Sequence, residues 1–357
     1  MNIVFLVDSV AYGGAGRVVA QLANGFCHSN NKVIVATMSS SDQVYYLEEN
    51  VIFAPLYSGK KRSFQDKISS IRALCKKYDA KILITFMAEL NVYGILSSIG
   101  EKWKVIISER NDPVITPKEK RVRLLRKLTY PFANGYVFQT NTVKSYFSRY
   151  IQKRSCIIFN PLLQTLPKPY EGIRNKEIVA VGRLNSQKNY LMLIEAFNIV
   201  HLKHPDYKLK IYGEGPQRSE LEMFIQKESL EQSVFLMGQV KDVHEKIRNA
   251  SMFIMSSDYE GLSNALIEAL ALGLPVITTD HGGGGARELI NDGVNGLLIP
   301  VGASEILAQK IEYLILHPDY ASKLGKNGAM INDIVNERTI CDSWFKYIDT
   351  VIGRGKS

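Results

Sequence analysis

Short apolar runs alternate with stretches of helical period almost from one end of the chain to the other. Residues 3–7 (Ile-Val-Phe-Leu-Val) form a continuous apolar run that ends in a glycine turn. Beyond the turn, Val18, Leu22, Ala23, Phe26 and Cys27 fall at i, i+4, i+5, i+8 and i+9, which is one face of a helix. Further strands are expected at 32–36, 81–85, 104–108, 136–138 and 156–159. Runs that are apolar throughout belong to strands buried on both faces, as in a parallel sheet covered by helices. Residues 160–171 contain Pro161, Pro167 and Pro169 and no period, and read as a linker. The pattern then restarts, with strands expected at 177–181, 208–212, 233–236, 252–255, 275–278 and 296–299 and helical period from Ser304 onward. Two consecutive α/β units follow, each a doubly wound sheet. Ligands of such sheets sit beyond the carboxyl ends of the strands, which makes the loops there, and a cleft between the domains, the expected site.

Composition narrows the class. A chain of 357 residues accommodates two domains, and 46% hydrophobic with 22% charged residues is ordinary for globular protein. No apolar window is long enough to span a bilayer, and Asp8 interrupts the first run, which lacks the basic start of a signal peptide. A cytoplasmic protein is expected. Cys27, Cys75, Cys156 and Cys341 lie far apart without a CxxC pair and read as buried thiols. Charge is uneven: residues 1–165 hold 23 lysines and arginines against 11 acids, a net of +12, while the remainder is −3. The basic half is expected to meet an anionic surface or polymer.

Three loops carry candidate chemistry. Tyr12-Gly13-Gly14-Ala15-Gly16-Arg17 follows the first strand and opens a helix. Its glycines suit either a tight turn or close approach to an anion at the helix N-terminus, and they do not fit GxGxxG. Gly182-Arg183-Leu184-Asn185-Ser186-Gln187-Lys188 again lies between strand and helix. Arg183 and Lys188 there suit a diphosphate, Arg as a fork and Lys as a point charge, or are solvated surface cations. In Glu260-Gly261-Leu262-Ser263-Asn264-Ala265-Leu266-Ile267-Glu268, two acids stand eight apart around a helix start. Glu260 can face a sugar and Glu268 can accept from ribose hydroxyls, while the amides of Leu262, Ser263 and Asn264 meet an approaching phosphate.

In that order, these motifs resemble the family 4 glycosyltransferases of the GT-B fold, and the resemblance runs over nearly the whole chain. Tyr212-Gly213-Glu214-Gly215-Pro216, Ile158-Phe159-Asn160-Pro161 and Asp292-Gly293-Val294-Asn295-Gly296 add to it. It implies a first Rossmann-like, acceptor-binding domain over 1–164, a nucleotide-sugar domain over 165–337, and a last helix over 338–357 returning to the first domain. It also implies a retaining enzyme without cofactor or metal, using a UDP-hexose or UDP-N-acetylhexosamine donor. Arg183 and Lys188 would clamp the donor diphosphate, with Gly14 approaching it from the first domain. Glu268 would hold the ribose, and Glu260 with Gly261, Leu262, Ser263 and Asn264 the sugar and phosphate. Two departures stand out. Glu109-Arg110 replaces the family's His, leaving Arg110 either in catalysis or in an ion pair with Glu109. The loop His281-Gly282-Gly283-Gly284-Gly285 is richer in glycine than the usual motif. A GT-B epimerase, a phosphorylase, or a non-catalytic nucleotide-sugar-binding protein are the alternatives.

Residues 117–130 concentrate Lys118, Lys120, Arg121, Arg123, Arg126 and Lys127, with Val122, Leu125, Leu128 and Phe132 at roughly helical spacing and Leu124 alongside. This reads as a basic amphipathic helix suited to anionic headgroups, or as an ordinary docked helix. Lys60, Lys61 and Arg62 add to the field, and no nucleic-acid module appears. Relatives imply a polyprenyl-diphosphate-linked glycan as acceptor, in bacterial surface polysaccharide or O-antigen (lipopolysaccharide) synthesis, with the enzyme peripheral at the inner face of the cytoplasmic membrane.

Overall fold

The computed structural model describes residues 1–11, 13–38, 45–56 and 62–354; Tyr12, Lys60 and Lys61 lie outside them. The chain divides into two compact units, Met1–Pro161 with Val335–Ser357, and Leu162–Ile334.

The first unit is built on seven parallel strands: β1 (Asn2–Val7), β2 (Lys32–Thr37), β3 (Val51–Phe53), β4 (Ile82–Phe86), β5 (Lys104–Ser108), β6 (Gly135–Phe138) and β7 (Ser155–Ile157), in the order β3-β2-β1-β4-β5-β6-β7. β1, β4 and β5 are buried on both faces, as their mostly apolar runs require. β3 was not expected: three residues at the sheet edge carry no legible pattern. Helix Gly14–Cys27 lays Val18, Val19, Leu22, Ala23 and Phe26 on the sheet, with the Phe26 ring edge-on to Phe5 at 5.2 Å. Each such buried ring contributes about 2–3 kcal/mol.

The last helix, Glu337–Gly353, belongs to this unit, as the family resemblance implied. Asn336 caps it by accepting from the Thr339 amide at 2.9 Å. Ile340, Cys341, Trp344, Tyr347, Ile348 and Val351 recur at helical spacing and are buried. The Tyr136 amide donates to the Tyr347 hydroxyl at 2.7 Å, fastening the helix to the start of β6. The four cysteines are free thiols; Cys75 and Cys341 are buried, whereas Cys27 and Cys156 are only half-buried, against expectation.

The second unit holds six parallel strands: β8 (Asn175–Val181), β9 (Lys208–Tyr212), β10 (Val234–Gly238), β11 (Ala250–Met255), β12 (Val276–Thr279) and β13 (Leu297–Ile299), in the order β10-β9-β8-β11-β12-β13. Both units are therefore doubly wound Rossmann-like sheets. The strand order reverses between β1 and β4 in the first and between β8 and β11 in the second.

Candidate functional site

At the reversal in the second sheet, the loops after β8 and β11 meet at the carboxyl edge, where adjacent crossovers run to opposite faces. The two loops are stitched together. The Asp258 amide donates to the Gln187 carbonyl at 2.9 Å, Gln187 Nε2 to the Tyr259 carbonyl at 2.8 Å, and Asn189 Nδ2 to Asp258 Oδ1 at 2.7 Å. A Cβ on Gly182 would lie 2.8 Å from both Lys188 Cε and the Tyr190 hydroxyl, so only glycine lets Lys188 fold across the strand end.

Lys188 Nζ lies 2.6 Å from Glu260 Oε1, and both side chains are largely buried. Ser257 Oγ donates to the same oxygen at 3.1 Å. Residues with separate expected roles thus form one ion pair bridging the two loops. Arg183 is exposed at the rim. Ser263 caps helix Asn264–Ala271 by accepting from the Leu266 amide, which puts the amides of Leu262, Ser263 and Asn264 around its N-terminus. Glu268, in that helix, is buried, and His244 Nε2 lies 2.9 Å from its Oε2. The glycine-rich loop has a definite place: a Cβ on Gly285 would lie 2.0 Å from the Gly261 carbonyl oxygen, so its backbone rests directly on the Glu260 loop.

In the first unit, Glu109 and Arg110 follow β5 and are buried. Their side chains join separate networks instead of pairing. Tyr130 donates to Glu109 Oε2 at 2.6 Å and accepts from Asn91 Nδ2 at 2.9 Å, while Asn91 Oδ1 accepts from Thr85 at 2.7 Å. Burial pushes the Glu109 carboxyl up to about 7, although Tyr130 and Arg126 oppose the rise. Arg110 stacks over the Phe86 ring at 4.5 Å and donates through Nη1 to Asn160 Oδ1 at 2.6 Å. Its Nε and Nη2 are buried without a hydrogen-bond partner among the described residues, and burial holds the guanidinium down at about 9. Those two atoms form the edge that grips paired oxygens of a carboxylate or phosphate. Gly14 begins helix Gly14–Cys27 beyond β1, at the carboxyl edge of the same sheet.

The basic segment forms helix Lys120–Thr129, packed against helix Ala88–Ser98. Arg126 is not a surface cation. It is buried and donates to the carbonyls of Thr116 (3.0 Å) and Pro113 (2.9 Å) and to the Tyr146 hydroxyl (3.0 Å). Arg123, though exposed, donates to the Pro117 and Ile115 carbonyls. The guanidinium forks thus anchor the 113–117 loop, which consumes the charge that sequence alone assigns to the surface. Lys118, Lys120, Arg121 and Lys127 remain exposed. The outward apolar row also differs: Leu124, Leu128 and Phe132 are 59%, 57% and 70% exposed, while Val122 and Leu125 turn partly inward. Among the described residues no helix is long and apolar enough to cross a membrane.

Sequence reasoning missed His244 and Tyr130, and it gave Asn160, though part of the Ile158-Phe159-Asn160-Pro161 motif, no role of its own. In the second unit His244 meets Glu268, and in the first Asn160 meets Arg110 and Tyr130 meets Glu109, each partner coming from a different element of the same unit.

Residues 169–330 match the family model "Glycosyl transferases group 1". The chain is 29% identical, over 98% of its length and 99% of the relative's, to the Campylobacter jejuni GalNAc-alpha-(1->4)-GalNAc-alpha-(1->3)-diNAcBac-PP-undecaprenol alpha-1,4-N-acetyl-D-galactosaminyltransferase. It is 31% identical, over 72% of its length and 73% of the relative's, to a second enzyme of that organism, N-acetylgalactosamine-N,N'-diacetylbacillosaminyl-diphospho-undecaprenol 4-alpha-N-acetylgalactosaminyltransferase. Among solved structures, Anabaena HepE in complex with UDP superposes with a TM-score of 0.82 at 19% identity, over 98% of this chain and all of that one. This last likeness carries the fold.

Proposed function

The chain belongs to the group 1 glycosyl transferases and is a glycosyltransferase of GT-B fold; from that premise we propose that it transfers a sugar with retention from a UDP-linked donor to a polyprenyl-diphosphate-linked glycan. The observation that carries this reading is the Lys188–Glu260 pair at the strand-order reversal of the second sheet. The pair holds a cation and a carboxylate half-desolvated and already aligned at one point. A donor diphosphate draws Lys188 away from Glu260 and, with Arg183 and the amides of Leu262, Ser263 and Asn264, takes the positive field. Glu260 then accepts from hydroxyls of the donor sugar, supported by Gly261 at the loop contact with Gly285. Glu268 accepts from the ribose hydroxyls. Charge on the departing diphosphate is met by groups already in place, which is where preorganised electrostatics act most strongly. The acceptor hydroxyl attacks the face that the diphosphate leaves and gives its proton to the leaving phosphate oxygen, so no protein nucleophile and no metal takes part. In the first unit, Arg110 offers its Nε and Nη2 donors to a substrate oxyanion.

The names of the C. jejuni relatives favour an N-acetylhexosamine donor and a lipid-diphosphate acceptor. The exposed row Leu124, Leu128 and Phe132, flanked by Lys118, Lys120, Arg121 and Lys127, suits peripheral binding to an anionic cytoplasmic leaflet, where each surface cation adds roughly 1 kcal/mol. The test is UDP release from a panel of UDP-hexoses and UDP-N-acetylhexosamines, with and without an undecaprenyl-diphosphate-linked oligosaccharide. Release that requires the acceptor is expected. Epimerised or hydrolysed nucleotide sugar formed equally well without acceptor would overturn the reading.

A further inference from the structure

We infer that His244 is a positioning residue for nucleotide binding: through Nε2 it orients the Glu268 carboxylate that receives the ribose hydroxyls. The inference rests on the ribose role proposed for Glu268. An ionised carboxylate only accepts, so at 2.9 Å the hydrogen of this bond sits on His244 Nε2. Both partners are shielded, with side-chain exposures of 17% and 9%, and in such surroundings a charge-assisted hydrogen bond fixes geometry as well as adding energy. The two residues come from different parts of the fold. Helix Val243–Ile247 follows β10 at one side of the second sheet, while Glu268 lies in the helix that follows β11. The His244 hydrogen bond pins one carboxylate oxygen, Oε2, from the β10 side. Each carboxylate oxygen has two lone-pair directions, so Oε2 can serve His244 and still face a diol.

A positioning role has a specific signature. His244 acts on the ribose through Glu268, so its loss lowers affinity only for ligands that carry the ribose diol. The ribose is remote from the reacting carbon, so the loss is one of uniform binding: KM for the donor rises and kcat holds. The experiment is calorimetric titration of the full chain with UDP and with 2′,3′-dideoxy-UDP. The parent is expected to prefer UDP by about ten- to hundredfold, the worth of hydrogen bonds to a charged acceptor. His244→Ala should erase most of that preference by weakening UDP alone, and His244→Gln, whose amide can donate from a similar position, should restore it. A preference left intact in His244→Ala would overturn the inference, and so would equal weakening of both ligands, which marks a general structural defect. Glu268→Gln separates the two layers. If it keeps the parental preference, the ribose role of Glu268 fails. If it loses the preference while His244→Ala keeps it, only the role of His244 fails.

Discussion

Lys188 and Glu260 neutralise each other at 2.6 Å, so either single replacement leaves the other charge shielded and alone. Lys188→Ala and Glu260→Ala should each lower turnover by about 10²–10³, corresponding to roughly 2–4 kcal/mol of transition-state stabilisation. Each should also lower stability, and the double variant should be less destabilised than the sum of the singles while remaining as slow as the worse one. Steady-state kinetics beside denaturant unfolding check both. A double variant that regained speed would show that the pair is structural only. Glu109 gives a pH signature. Its carboxyl sits near 7 when folded against an ordinary value of 4.5, so the native state binds more protons between those pH values. The stability it contributes is complete below about 4.5 and is lost as pH rises through about 7. Glu109→Gln should flatten that fall and stabilise the protein at pH 8; urea titrations at pH 5 and pH 8 measure it. At this scale the placement of Arg183, Lys188 and Glu260 in loops that follow strand ends was readable from the order of the motifs. Their pairing was not: Lys188 meets Glu260 across 72 residues, and His244 meets Glu268 by the adjacency of two helices that no local pattern encodes.

The basic helix Lys120–Thr129 shows how an element's sequence can mislead about which side faces out. Amphipathic spacing and five cations, six with Lys118 just before it, were legible, but Arg126 points inward because three oxygen acceptors await it there. Arg126→Gln should destabilise the protein by roughly 2–4 kcal/mol, since the buried acceptors lose charge-assisted donors. Replacing Lys118, Lys120, Arg121 and Lys127 with Gln should leave stability nearly unchanged and weaken sedimentation with anionic vesicles. That binding should fade as salt rises from 0.1 to 1 M, where the Debye length falls from about 10 Å to about 3 Å. Leu124→Ser with Leu128→Ser and Phe132→Ser should reduce binding at all salt concentrations. Unchanged sedimentation of both sets would remove the membrane role. The strands were legible where β-branched runs are buried on both faces. The three-residue edge strand Val51–Phe53 was not, because an edge strand of that length has too few positions to show a pattern.

On the scale of the whole molecule, the period of the sequence carried the two doubly wound units, and the composition carried their contrast in charge. The second unit carries the loops proposed to hold the donor, and its stability is expected to report donor binding. A UDP-sugar held at 100 times its dissociation constant adds about 2.7 kcal/mol, seen as a rise in unfolding midpoint that Lys188→Ala should largely abolish. Transfer with retention is read from the anomeric configuration of the product. The lipid-linked oligosaccharide made from an α-linked UDP-N-acetylhexosamine is examined by NMR at the new C1. Retention gives an α linkage; a β linkage would mean inversion and exclude the proposed mechanism.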